Sequence, residues 1–105
     1  MIAPKIHNRI SRESEILFVT ADQNYSIFHL QNGRKFTSGY TLKFHLKYLD
    51  EDKFLRINRS QLINKSFIRK VAITENKGFI TLRNGKDIPI PRRRIKEIKL
   101  EYKIA

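Results

Sequence analysis

The chain has 105 residues, no cysteine and a net charge of +12, and 40% of its residues are hydrophobic. This length predicts one domain, residues 1–105, with one apolar core, and the lack of cysteine excludes disulfide and thiol chemistry. We expect a core at about 16–98, preceded by an N-terminal arm or leading strand at 1–12. The sequence shows no secretory apolar region and no run of about 18 apolar residues, so we expect a cytoplasmic protein without membrane association.

The positive charge lies almost entirely in the second half of the chain. Residues 53–105 carry fifteen Lys and Arg against four acids, which gives +11 of the +12. A field this asymmetric favours a polyanionic partner, nucleic acid first and an anionic membrane surface second. The charge alone also fits a charged domain without such a partner.

Short apolar runs between turn residues predict a mainly β fold with at least seven strands. Strands are predicted at residues 16–21, 25–30, 34–38, 54–57, 61–63, 68–74, 79–82 and 87–90. Asn32-Gly33 and Asn84-Gly85 are hairpin signals, and Pro89 indicates an edge strand.

Two short helices complete the prediction. Thr41 can cap a helix over residues 42–49, where apolar residues recur at helical spacing. Pro91 can occupy the first position of a second helix, residues 91–100. We expect its apolar contacts from Ile95, Ile98 and Leu100.

The sequence lacks the patterns that catalysis requires. His7, His29 and His45 are far apart, with no partner at metal-ligand spacing. Carboxylates cluster only at residues 50–52, which read as a solvated loop, and no phosphate-binding glycine motif is present. We therefore predict no enzyme activity, no metal and no cofactor.

Polar and basic groups stand where predicted strands end, at residues 24–25, 58–60 and 92–94. Strand ends and turns are where a β scaffold presents side chains to a ligand. Arginine can bond guanine O6 and N7 together or clamp a phosphate, and asparagine can bond adenine in the same way. Each group alone is weak evidence for DNA binding, because an arginine triplet, for example, is more often part of a solvated face.

The order of these groups resembles the LytTR family of bacterial DNA-binding domains. The run F-L-R-I-N-R-S-Q-L-I-N is similar to the family pattern F-x-R-x-[HN]-R-S-x-x-V-N, and L-R-N-G-K-D-I-P-I-P-R to its ending, L-x-N-G-x-x-I-P-V-S-R. The opening pattern and the Thr41-Leu42 helix start also match, so the resemblance covers about 16–98. Asn58 and Pro91 depart from it, standing where His and Ser are usual; Pro91 removes a hydroxyl and an N–H that could bond a phosphate.

The resemblance implies an elongated stack of small antiparallel sheets with two short helices. It also implies sequence-specific binding of double-stranded DNA in a transcription regulator, usually the response-regulator output domain of a two-component system. Loops would enter successive major grooves, and two copies would occupy paired tandem sites. A receiver domain or sensor partner would lie outside this chain.

By the same resemblance, three side chains would contact bases: Asn24, Arg59 and Arg93. Flanking residues would contact the DNA backbone: Tyr25, Ser60, Gln61, Asn64, Lys65, Arg92 and Arg94. For Ser60 and Asn64, a role in holding the turn explains the residue equally well.

Two other functions remain open. The chain could bind RNA or single strands by stacking bases on Tyr25, Phe36 and Phe79, although the strand pattern favours a core role for each. It could instead be an interaction module that docks an acidic protein through residues 92–94.

Overall fold

The structure, a computed structural model, describes residues 13–101, so the predicted arm at 1–12 lies outside the described residues. Eight strands and two α-helices are described: β1 (Ile16–Asp22), β2 (Tyr25–Leu30), β3 (Lys35–Ser38), α1 (Leu42–Leu46), β4 (Phe54–Asn58), β5 (Gln61–Asn64), β6 (Ile68–Ile73), β7 (Gly78–Leu82), β8 (Asp87–Pro89) and α2 (Arg92–Glu101). The chain divides into two compact units, Met1–Ser66 and Phe67–Ala105. The predicted mainly β fold with two helices is confirmed.

The first unit contains a five-stranded antiparallel sheet with the order β3-β2-β1-β5-β4. Its central strand, β1, pairs with β2, the next strand in the chain, and with β5, which begins about 40 residues later. The sheet, α1 and the turn after α1 supply one core of buried apolar residues: Ile16, Val19, Phe28, Leu30, Leu42, Leu49, Phe54 and Leu62.

Helix α1 begins as predicted and ends three residues early. Thr41 Oγ1 accepts a hydrogen bond from Phe44 N at 3.2 Å, which is the expected N-cap. After Leu46 the backbone tightens, because Tyr48 N bonds the carbonyl of His45 three residues back. Leu49 is nevertheless buried, as its spacing predicted.

The second unit contains a three-stranded antiparallel sheet with the order β6-β7-β8, followed by α2. Pro89 lies on β8, so its predicted edge position is confirmed. Ile95 and Ile98 of α2 are buried, but Leu100 is 72% exposed and does not supply the predicted contact. Residue 100 lies two positions after Ile98, a rotation of about 200° that turns it away from the buried face.

Both Asn-Gly signals form the predicted hairpin turns, and each glycine has a positive φ, +87° at Gly33 and +90° at Gly85. Residues with a Cβ rarely adopt this conformation. A Cβ at either position would meet no atom within 4 Å, so the requirement for glycine is purely conformational.

We predict that Gly33→Ala lowers the free energy of unfolding by about 1–2 kcal/mol, because alanine is strained at this φ. Gly39→Ala is the matched control: its Cβ would also meet nothing within 4 Å, and its φ lies outside the strained range. Urea unfolding of both variants checks this, and equal stabilities would contradict it.

His45 is a buried histidine in the core of the first unit, with 1% of its surface exposed. Its Nε2 lies 2.7 Å from Ser38 Oγ, and its ring packs edge-on against Phe28. Its Nδ1 is buried and has no hydrogen-bond partner among residues 13–101. Burial lowers the pKa of His45 from 6.5 to about 4, because a charged ring would lose its hydration there.

A folded-state pKa below the unfolded value means that protonation favours unfolding. We therefore expect the contribution of neutral His45 to be present above pH 6.5 and lost as the pH falls from 6.5 towards 4. Between pH 7 and pH 4.5 the loss should be about 2–3 kcal/mol. Urea unfolding across this range, compared with His45→Gln, isolates the effect; parallel pH profiles for the two proteins would refute it.

Candidate nucleic-acid interface

Two tight turns lie side by side at one end of the five-stranded sheet, where neighbouring strands are connected. One connects β1 to β2 through residues 23–24, and the other connects β4 to β5 through residues 59–60. In the β1–β5 pairing Thr20 lies opposite Gln61, so β5 begins where β1 ends. Ala21 N also donates to the carbonyl of Ser60 at 2.8 Å. We call residues 22–25 and 58–61 the turn edge.

The first turn presents Asn24 and Tyr25. Gln23 has a φ of +57°, the one positive value at a non-glycine among the described residues, and tight hairpin turns of the primed types require such a value. Asn24 is exposed, and Tyr25 is 53% exposed. The strand pattern had favoured a core role for Tyr25, and this was wrong because the residue starts β2 with its side chain outward.

The second turn contains Arg59 and Ser60, and the neighbouring polar residues hold it. Asn58 Oδ1 accepts from Ser60 N at 2.7 Å, and Asn58 Nδ2 donates to Gln61 Oε1 at 3.1 Å. This is the local side-chain bonding that makes asparagine a turn residue. Ser60 is exposed, and so is the guanidinium of Arg59, which makes no hydrogen bond or ion pair within residues 13–101.

Arg56, which the sequence did not single out, also bonds this turn. Its Nε donates to the carbonyl of Asn58 and its Nη2 to the carbonyl of Arg59, each at 3.0 Å. The sequence signal was its place two residues before Asn58, because alternate residues of a strand lie on the same face.

Asn64 is part of the interior. It is 4% exposed, its Nδ2 donates to the carbonyl of Ile16 at 2.8 Å, and its Oδ1 accepts from Ser66 N at 3.0 Å. These contacts favour the turn-holding role that the sequence left open. Lys65, the next residue, is half-buried, and its amide donates to the carbonyl of Lys53.

Arg92, Arg93 and Arg94 form the first turn of α2, directly after Pro91. Arg92 and Arg93 are exposed. Arg94 is half-buried, and its Nε lies 3.0 Å from Glu97 Oε2. Arg93 is therefore more exposed than Arg94 and, unlike Arg92, does not line the groove along α2.

A basic groove runs along α2. Arg92, Lys96 and Lys99 recur at i, i+4 and i+7, which places them on one side of the helix. They line a groove of about 270 Å³ together with Glu75, Asn76 and Ile95. Lys96 and Lys99 were not among the predicted site residues, although their helical spacing from Arg92 was a readable signal.

Other kinds of site are not found in the described part of the chain. Among residues 13–101, no three His, Cys, Asp or Glu side chains are grouped so that they could hold a metal ion. None of the helices described there is long and apolar enough to cross a membrane.

Replacing Asn64 with alanine should lower the free energy of unfolding by about 1–3 kcal/mol, because it leaves the buried Ile16 carbonyl and the Ser66 amide without this partner. The exposed Asn32 is the matched control, since it makes one turn bond, to Arg34 N. We expect Asn32→Ala to cost less than about 1 kcal/mol. Thermal and urea unfolding measure both, and equal costs would contradict the structural role.

Comparison with known proteins agrees with these observations. The profile of the LytTr DNA-binding domain family matches residues 10–103. A solved LytTr DNA-binding domain from Bacillus cereus, described as part of a methyl-accepting/DNA response regulator, has the same fold: the TM-score is 0.71 at 20% sequence identity, over 82% of this chain and 79% of that chain. No curated protein matches. Because the family match spans nearly the whole sequence, the chain belongs to the LytTR family of DNA-binding domains.

Proposed function

We propose that this DNA-binding domain recognises double-stranded DNA by sequence, as the output domain of a cytoplasmic transcription regulator. Asn24, Arg59 and Arg93 are the proposed base-contacting residues. The observation that carries the proposal is the turn edge, because it gathers two of these three side chains at one end of a sheet. Membership in a DNA-binding family agrees with a protein that has no catalytic role.

The chemistry of the turn edge suits a base edge. The major groove admits a two-stranded β-ribbon, so a tight hairpin turn fits there. The unpaired guanidinium of Arg59 can form the fork that recognises guanine O6 and N7, and the exposed amide of Asn24 can bond adenine. Neither side chain has to break a bond inside residues 13–101 before it binds, since neither makes one there.

The spacing of strands limits what the turn edge can cover. The two turns lie about two strand spacings apart, which is about 10 Å. Successive major grooves on one face of a duplex are about 34 Å apart. The two turns therefore serve one stretch of the duplex, and Arg93 of the second unit is the proposed base contact outside that stretch.

Phosphate contacts would come from polar and basic residues near these three. The proposed set, without the buried Asn64, is Tyr25, Ser60, Gln61, Lys65, Arg92 and Arg94. Lys96 and Lys99 extend the set along the basic groove. Each phosphate neutralised steepens the salt dependence of binding. Two copies on paired tandem sites, under the control of a receiver domain or sensor partner, complete the proposal.

Binding of RNA or single strands is the second candidate, because Tyr25 is 53% and Phe79 is 44% exposed. Exposed aromatic rings are the stacking platforms of single-strand binders. Phe36 is a weaker candidate, since it is half-buried and its ring centroid lies 6.2 Å from that of Phe28. Competition between duplex and single strand of equal mass separates the two functions.

Arg59→Ala should weaken binding to a duplex selected from a random library by about 1–3 kcal/mol and relax base preference at one position. Arg34→Ala is the matched control. It removes the same charge from an exposed residue of the β2–β3 turn, at the opposite end of the sheet. Fluorescence anisotropy measures both affinities, and repeated selection measures the base preference.

A residue that contacts only phosphate behaves differently. Lys65→Ala should weaken all duplexes alike and reduce the slope of log affinity against log salt by about 1. If Arg59→Ala and Arg34→Ala changed affinity equally, with the same preferred sequence, Arg59 would not be a base contact.

A further inference from the structure

The side chain of Arg56 bonds the backbone on both sides of Arg59. The carbonyl of Asn58 belongs to the peptide unit before the Arg59 Cα, and the carbonyl of Arg59 belongs to the unit after it. Arg56 donates to both, each at 3.0 Å. Because each peptide unit is planar, holding both carbonyls holds φ and ψ of Arg59, and hence the direction of its Cα–Cβ bond.

Other bonds hold the rest of the turn. Ser60 N is bonded to Asn58 Oδ1, and the Ser60 carbonyl accepts from Ala21 N. The Ser60 N–H and the carbonyl of Arg59 belong to the same peptide unit, so the Asn58 bond holds the N–H side of that unit. The bond from Arg56 Nη2 holds its carbonyl side, and the bond from Arg56 Nε holds the carbonyl of Asn58 in the unit before it.

Guanidinium chemistry suits this task. Arg56 is half-buried on β4 and follows the apolar Leu55. Its planar fork can reach two carbonyls at once, and a charged donor makes a stronger hydrogen bond than a neutral one. A lysine would keep the charge but has no planar fork.

We propose that Arg56 is a positioning residue for base recognition: it orders the turn so that Arg59 already points outward before DNA arrives. This role rests on the proposed function of Arg59. Without the two bonds, the turn is held only through Ser60, so part of its backbone must be ordered when DNA binds, and this cost weakens specific binding. Arg56 acts through Arg59 and does not touch the DNA.

The test is a double-mutant cycle between Arg56→Lys and Arg59→Ala, measured on a selected duplex and on a random one. Arg56→Lys should weaken the selected duplex about 10-fold. It should leave the random duplex and the salt slope unchanged, because the charge is kept. In the Arg59→Ala background the same change should have no effect. Arg34→Lys is the control.

Two results would overturn the role. Full retention of specific affinity in Arg56→Lys would mean that charge alone matters. An equal loss with and without Arg59, together with a flatter salt slope in Arg56→Gln, would mean that Arg56 contacts phosphate itself. Thermal unfolding of each variant shows whether it folds. If Arg56→Lys does not fold, Arg56→Gln, which keeps one donor group, replaces it.

A measurement without DNA separates this role from the proposed function. In the free protein, Arg56→Lys should speed hydrogen exchange at the Ser60 amide and lower the backbone order parameter of Arg59, while the 31–34 turn stays unchanged. Unchanged values would refute the ordering by Arg56, whatever the chain binds. Failure of the unmodified chain to select any duplex would instead refute the proposed function, and base positioning with it.

Discussion

The pairing of β1 with β5 is the constraint on which the first unit depends. It joins two hairpins that are far apart in sequence, and its register places the start of β5 beside the end of β1. A shift of one residue would exchange the faces of the sheet on which Leu62 and Ile63 lie, and it would move the second turn relative to the first. The hydrogen bond from Ala21 N to the Ser60 carbonyl joins the two hairpins next to their turns. The core of the sheet and the position of the turn edge therefore have the same cause.

Within the turn edge, the polar residues divide into those that hold the turns and those that are exposed. The side chains of Asn58 and Gln61 bond the turn itself, as does that of Arg56 from the neighbouring part of β4, whereas Asn24 and Arg59 are exposed. This division fits recognition by a rigid scaffold, because a side chain on an ordered backbone loses less conformational entropy on binding. The basic groove along α2 adds charge in the second unit, where attraction to phosphate needs less exact geometry.

Local features of this fold were readable from the sequence, and features that depend on register were not. Strand positions and both Asn-Gly turns follow from alternation and turn chemistry, and they agree with the structure to within one or two residues. The sequence did not show that α1 ends at Leu46, because the end of a short helix depends on packing. The outward position of Leu100 was readable from helical periodicity, since residue 100 lies about 200° from Ile98, but it was missed. The role of Arg56 was missed for a related reason: its donors meet the turn carbonyls through the irregular register between residues 56 and 58.

The assignment of the turn edge is tested most directly by an NMR titration of the isotopically labelled chain with a duplex selected from a random library. We expect the largest amide shift changes in the first unit at residues 22–25 and 58–61. We expect no change at the turn of residues 31–34, which lies at the opposite end of the same sheet. Shift changes concentrated at 31–34, with none at the turn edge, would contradict the assignment of that edge as the DNA-reading surface.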